Sequence, residues 1–184
     1  MRVGLAFLAG VIGGAVMIAL VAIARAAGIT DLNFGILWGS MITNEATVGT
    51  WVLGTVIHLV VSGLIALIYA AVFEAIRGSN WFTGLIGGAI HAVIGGLALT
   101  ALPAIHPAIP DLLREPGAFA INYGSTAAAL FVVGHLIYGV IVGGLYTPVH
   151  THKLPPSATR EIREEEAVGV GHEEHVHTGE PRRR

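Results

Sequence analysis

The sequence predicts an all-α membrane protein: a four-helix transmembrane bundle built from two tandem helix-hairpin repeats, followed by a disordered C-terminal tail. Three observations lead there. Four apolar runs are each long enough to cross a bilayer. Segments of the first pair of runs reappear in the second pair. Charge is nearly absent from the first 148 residues and crowded into the rest.

The runs extend approximately from Val3 to Ala24, Val48 to Phe73, Trp81 to Leu102 and Gly124 to Thr147. A hydrocarbon core roughly 30 Å thick takes about 20 helical residues to cross. The first run begins MRVGLAFLAG, in the manner of a signal peptide. Its apolar stretch exceeds a signal core, and it has a mid-chain counterpart, so it reads as a span. Hydrophobic residues make up 54% of the chain and charged residues 12%, against roughly 25% charged in a soluble domain. Thirteen of the 22 charged residues lie from Lys153 onward.

The repeat is visible as FLAGVIGGA (Phe7 to Ala15) against FTGLIGGA (Phe82 to Ala89), and as GTVIHLVVSGLIALIY (Gly54 to Tyr69) against FVVGHLIYGVIVGGLY (Phe131 to Tyr146). His58 aligns with His135 and Tyr69 with Tyr146. The first repeat covers about residues 3–73 and the second about 81–147, within a transmembrane domain of residues 1–148. Two hairpins in tandem share one orientation, so the repeat axis runs along the membrane normal.

Lys and Arg set the expected orientation. Arg2, Arg77, Lys153, Arg160 and Arg163 fall on one side, Arg25 and Arg114 on the other, which places both termini in the cytoplasm of a prokaryotic cell with the bundle in its inner membrane. The connection Glu74 to Asn80 is a tight hairpin, with Ser79 or Asn80 as cap of the third span. Glu74 and Arg77, three apart, read as an interfacial ion pair. The first long connection, GITDLNFGILWGSMITNEAT, reads as a short interfacial helix capped by Asp31, with Trp38 at headgroup level. The second carries Pro103, Pro107, Pro110 and Pro116, which break continuous helix. His106 between them reads as an ordinary loop residue.

Residues 149–184 are polar and charged, and bury too little apolar surface to offset ordering entropy. They read as a disordered cytoplasmic tail with a helical turn or two around Thr159 to Val168. Its HEEHVH stretch (His172, His175, His177) reads as a solvated tract or a loose metal binder.

Inside the spans, Gly54, His58, Ser62, Ile65 and Tyr69 share one helix face, as do Phe131, His135, Gly139, Val142 and Tyr146. The third span adds Gly84, Gly87 or Gly88, His91 and Gly95. The first offers Gly10, Gly14 and Met17. Small residues mark packed faces, so the histidines point into the bundle. His58, His91, His135 and Met17, the position matching His91, reach one depth. Ionisable groups at such depth are functional-site hypotheses by default.

Several roles fit. Three imidazoles and a thioether suit copper or zinc, and His58 with His135 suits axial ligation of haem b. A structural or accessory subunit of a larger membrane complex, or of a homo-oligomer, needs only histidines that bond within the bundle. A proton or small-solute path would use the histidines with Tyr69 and Tyr146. The sequence has no cysteine and a net charge of −2, which excludes thiolate metal sites and argues against nucleic acid. It carries no hydrolytic or phosphoryl-transfer motif and does not read as an enzyme. The lipid bilayer is its expected partner.

The segments GTVIHLVVSGLIALIYA and FVVGHLIYGVIVGGLYTPVH resemble a loose group of small four-span bacterial and archaeal membrane proteins of unknown function. In these, His followed by small residues and Tyr recurs in the second and fourth helices. The resemblance covers about residues 4–147. It implies a polytopic membrane protein and transfers no activity and no catalytic residue.

Overall fold

Asn80 shows how local chemistry starts a helix here. Its side chain accepts hydrogen bonds from the backbone N–H groups of Phe82 (2.8 Å) and Thr83 (3.0 Å), and Thr83 Oγ1 accepts from Asn80 N–H in return. This capping box satisfies donors that a helix leaves orphaned. The computed structural model describes residues 1–149, and the expectations for the tail lie outside the described residues. These residues form one unit of five α-helices: α1 (Val3–Ala26), α2 (Phe34–Thr43), α3 (Val48–Ile76), α4 (Trp81–Ala98) and α5 (Ser125–Leu145). Two 3₁₀ stretches, Leu99–Ala104 and Ala118–Tyr123, lie between α4 and α5. No strand occurs among the described residues.

Four helices are long and apolar enough to cross a membrane: α1, α3, α4 with its 3₁₀ extension to Ala104, and α5. The chain is a small polytopic membrane protein. Its surface agrees with that. Val52, Val56, Val60, Leu64, Ile68, Val72 and Ile76 form an exposed row along α3, one i, i+4 ridge of large aliphatic side chains. The interior is rich in Gly, Ala and aromatics, with a few aliphatic and polar groups, as expected where lipid is as apolar as the core.

Helix α4 gives way to 3₁₀ turns at Leu99 rather than continuing to Leu102. Pro103 has no N–H to donate, and its ring clashes with the carbonyl four residues back, which is that of Leu99. At the other end, α3 closes with Arg77 in the left-handed conformation (φ 55°), and Gly78 N–H reaches back to Phe73 O at 3.1 Å.

Helix α1 packs against α3 and α5, α4 packs against α5, and the α3 and α4 backbones stay apart. Glycine sets the closest approaches. A Cβ on Gly84 would strike the Gly139 carbonyl, and one on Gly139 would lie 2.8 Å from Gly88 Cα. Ser79 Oγ donates to Gly143 O at 2.6 Å and ties the α3–α4 connection to α5.

The first long connection carries the short helix α2 that the sequence reading expects, with a different cap. It folds against the first turns of α3, with Phe34, Gly35, Leu37, Gly39 and Ser40 buried. The reason is steric: a Cβ on Gly54 would collide with Gly35 O and Gly39 N, so only glycine lets these backbones meet. The cap is Asn33, whose Oδ1 accepts from Ile36 N–H at 3.2 Å, rather than Asp31. Glu74 likewise turns away from Arg77: its Oε1 accepts from Tyr146 OH at 2.5 Å and from Val149 N–H at 3.1 Å.

His106 is not an ordinary loop residue either. It is 2% exposed. Its Nδ1 accepts from Ala108 N–H at 3.2 Å, so in the neutral ring Nε2 carries the proton and donates to Leu37 O at 2.8 Å. The imidazole latches the proline-rich connection onto α2. His106→Ala orphans a buried backbone N–H and is expected to destabilise the protein by about 1–3 kcal/mol, read as a lower denaturation midpoint in detergent. An unchanged midpoint would show that the latch carries no stability.

Candidate functional site

A cavity of about 350 Å³ lies between α3 and α4, where the backbones stay apart, and α2 forms one of its walls. Met17, His58, His91 and His135 all line it. The four residues that the sequence singled out therefore stand around one space. Phe34, Leu37, Trp38 and Met41 from α2, and Phe131 and Tyr138 from α5, complete much of the wall. Ser62 is a further polar group there, and no Asp, Glu, Lys or Arg takes part.

Each imidazole is held differently. His135 is 7% exposed, and its Nδ1 lies 2.7 Å from the carbonyl of Phe131, one turn earlier. A carbonyl only accepts, so Nδ1 is protonated and Nε2 of the neutral ring is left as an acceptor. The missing Cβ of Gly95 gives that atom room, for a methyl there would stand 3.5 Å from it. The Phe131 ring lies 4.2 Å from the His135 ring, centroid to centroid. His91 meets His135 edge to face, at 4.6 Å and 86°. His58 stacks on Phe34 at 6.2 Å and is tilted to Trp38 at 6.4 Å. Helix α2 thus supplies the aromatic partners of His58, which is why its insertion matters to the site.

His58 Nε2, His91 Nδ1 and Tyr69 OH are buried without a hydrogen-bond partner. Such groups are costly in an apolar interior and call for an explanation. Among the described residues, no group of three or more His, Cys, Asp or Glu side chains is arranged to hold a metal ion.

Tyr138 is the residue that sequence reasoning missed. It is fully buried, its hydroxyl donates to Ser62 O at 2.5 Å, and its ring edge meets Tyr69 and His91, both at 5.6 Å. It couples α5 to α3 beneath the histidines. The signal was available in the spacing of His135, Tyr138 and Val142, a 3-4 step on one helix face. Tyr69 and Tyr146, which the sequence reading aligned, sit in different settings. The Tyr69 ring covers Gly87. Tyr146, at the far end, bonds Glu74 and accepts from Arg2 N–H at 3.2 Å.

Compared with known proteins, the chain matches no protein-family model, no curated protein and no solved structure.

Proposed function

We propose that this protein is a membrane-embedded binding module whose histidine cavity takes a neutral, ring-bearing small molecule with hydrogen-bonding groups. The observation that carries the reading is the pair of unpartnered ring nitrogens, His58 Nε2 and His91 Nδ1, on the wall of a cavity without a charged side chain. A cavity of this size, mostly apolar with a few polar groups, has the usual character of a small-molecule site. His135 Nε2 offers an acceptor, while His58 and His91 can each choose a tautomer that donates or accepts. Phe34, Trp38 and Phe131 offer ring faces. A charged ligand would have to shed its hydration with no countercharge in the wall.

Metal binding is the second reading, supported by the same three histidines and Met17 around one cavity. Copper(I) fits best, because imidazole and thioether are soft enough and a single positive charge is the least costly to bury. Zinc would bring two charges with no carboxylate to balance them. Haem b would place its propionates where no Lys or Arg lines the cavity. A proton or solute path would recruit Tyr69 OH. An accessory subunit would need no ligand at all.

The two-hairpin repeat is part of the proposal. Gly10 lies against Ser62 and Ala66 in the first pair as Gly84 lies against Gly139 and Gly143 in the second, and these are aligned positions. Tyr138 covers Gly13 as Tyr69 covers Gly87. The symmetry is inexact, since α1 packs along α5 whereas α4 stands off from α3. The excess of Lys and Arg supports cytoplasmic termini in a prokaryotic inner membrane.

Protein purified in mild detergent tests the reading by mass spectrometry of its organic extract, with an absorption spectrum and metal analysis. One neutral organic molecule per chain, lost in His58→Ala, is expected. Stoichiometric copper or zinc, or a Soret band, would replace this reading with the metal or haem one. Protein that retains nothing would favour the accessory role.

A further inference from the structure

A second crevice, of about 540 Å³, lies at the end of the bundle that carries the two long connections. It shares only Leu37 with the histidine cavity, and its chemistry is different. Arg25 and Arg114 both line it, with Asp31 on the same wall. Each guanidinium is anchored through one nitrogen. Arg25 Nη1 donates to Asp31 O at 2.5 Å, and Arg114 Nη1 donates to Asn122 O at 3.0 Å. Arg114 is held a second time from behind, since its carbonyl accepts from Tyr123 OH at 2.9 Å and its guanidinium carbon stands 5.8 Å from the Tyr123 ring centre. The phenol lies within reach of both charges: burial pushes Tyr123 up, and Arg114 and Arg25 oppose that rise. Two cations are thereby fixed around one space, with donors to spare on each. Trp51, Leu112 and Leu113 supply apolar wall beside them.

Anchored guanidiniums suit the oxygens of a phosphate, because the fork of donors is already oriented. Two positive charges and one negative leave a carboxylate with nothing to pair once a phosphate is bound. A ligand that carries both a phosphodiester and a primary ammonium gives each of the three charged side chains an opposite charge to meet. Apolar wall next to that set, at an end of a membrane bundle, matches a molecule whose charged group is joined to hydrocarbon. We propose that this crevice binds an ethanolamine phospholipid, with its phosphodiester on Arg25 and Arg114, its ammonium on Asp31 and the start of its acyl chains along Trp51, Leu112 and Leu113. The proposal is independent of what occupies the histidine cavity.

The test uses full-length, delipidated protein in detergent. Its thermal midpoint is followed while phosphatidylethanolamine, phosphatidylglycerol, phosphatidylcholine or inorganic phosphate is titrated in. Phosphatidylethanolamine is expected to raise the midpoint at the lowest concentration. R25Q and R114Q should each weaken its apparent affinity on the order of tenfold. D31N keeps the backbone carbonyl that Arg25 uses, so it should fold normally and lose the preference for ethanolamine over choline while still binding both. Equal responses to all three lipids, unmoved by D31N, would reduce the crevice to annular lipid contact and overturn the proposal. Inorganic phosphate matching phosphatidylethanolamine would make it a simple anion site and overturn the lipid assignment.

Discussion

Gly84→Val is expected to cost on the order of 3 kcal/mol, the upper part of the range for overpacking a tight interface. A Cβ at this position strikes the Gly139 carbonyl and comes within 3.0 Å of Gly143 Cα. Neither obstacle is a flexible side-chain end that can rotate away, so α4 and α5 must separate. Separation would also loosen His91 from His135, which those two helices hold 4.6 Å apart. The built-in controls are Gly4→Val and Gly144→Val, where a Cβ meets nothing within 4 Å. Those changes should stay within about 0.5 kcal/mol. Denaturation of the three variants in one detergent makes the comparison. Equal tolerance at all three positions would contradict the α4–α5 contact described here.

The second large effect concerns His58 and His135, and it separates binding from stability. If both serve one ligand, His58→Ala and His135→Ala should each reduce retention of the cavity's ligand on the order of tenfold, the value of roughly one hydrogen bond. The double variant should then lose little more, because groups that act as a unit are not additive. His58→Phe sharpens the test. It removes a buried ring nitrogen that has no partner within the protein, and it keeps an aromatic ring between Phe34 and Trp38. Replacing an unsatisfied polar group by an apolar one is near neutral or stabilising. The ligand-free variant should therefore match or exceed the parent in thermal stability while binding falls. If binding holds, or if losses from the two alanine variants simply sum, His58 and His135 are independent packing residues and the site reading fails.

Membrane spans were legible because they are local. Apolar character over about 20 residues depends on no partner, and three of the spans begin at Val3, Val48 and Trp81 as the hydropathy alone places them. The Asn80 cap was legible for the same reason, since its bonds reach only two and three residues along the chain. Helical spacing also put His58, His91, His135 and Met17 on interior faces, and they do line one cavity. Glycine marked which faces pack.

What the sequence could not decide was which distant groups meet. Asp31 and Asn33 are both acceptable caps, and the helix begins at Phe34, so Asn33 meets Ile36 N–H. Glu74 and Arg77 have the spacing of a pair, yet Tyr146 reaches Glu74 from 72 residues away. Helix α2 looks amphipathic enough for an interface. Its burial depends on Gly35 and Gly39 finding Gly54 and Thr50 across a helix pair, a match that no periodicity reveals. The same holds for His106, whose bond to Leu37 spans 69 positions, and for Tyr138, which reaches Ser62 across 76. By itself the sequence determined the apolar spans, their packed faces and the inward side of the histidines, because these follow from hydropathy and helical period. The tertiary structure alone decided how each helix is rotated and what fills the space beside α3. Those are settled by steric fit between residues far apart in the chain, where a single Cβ separates contact from collision.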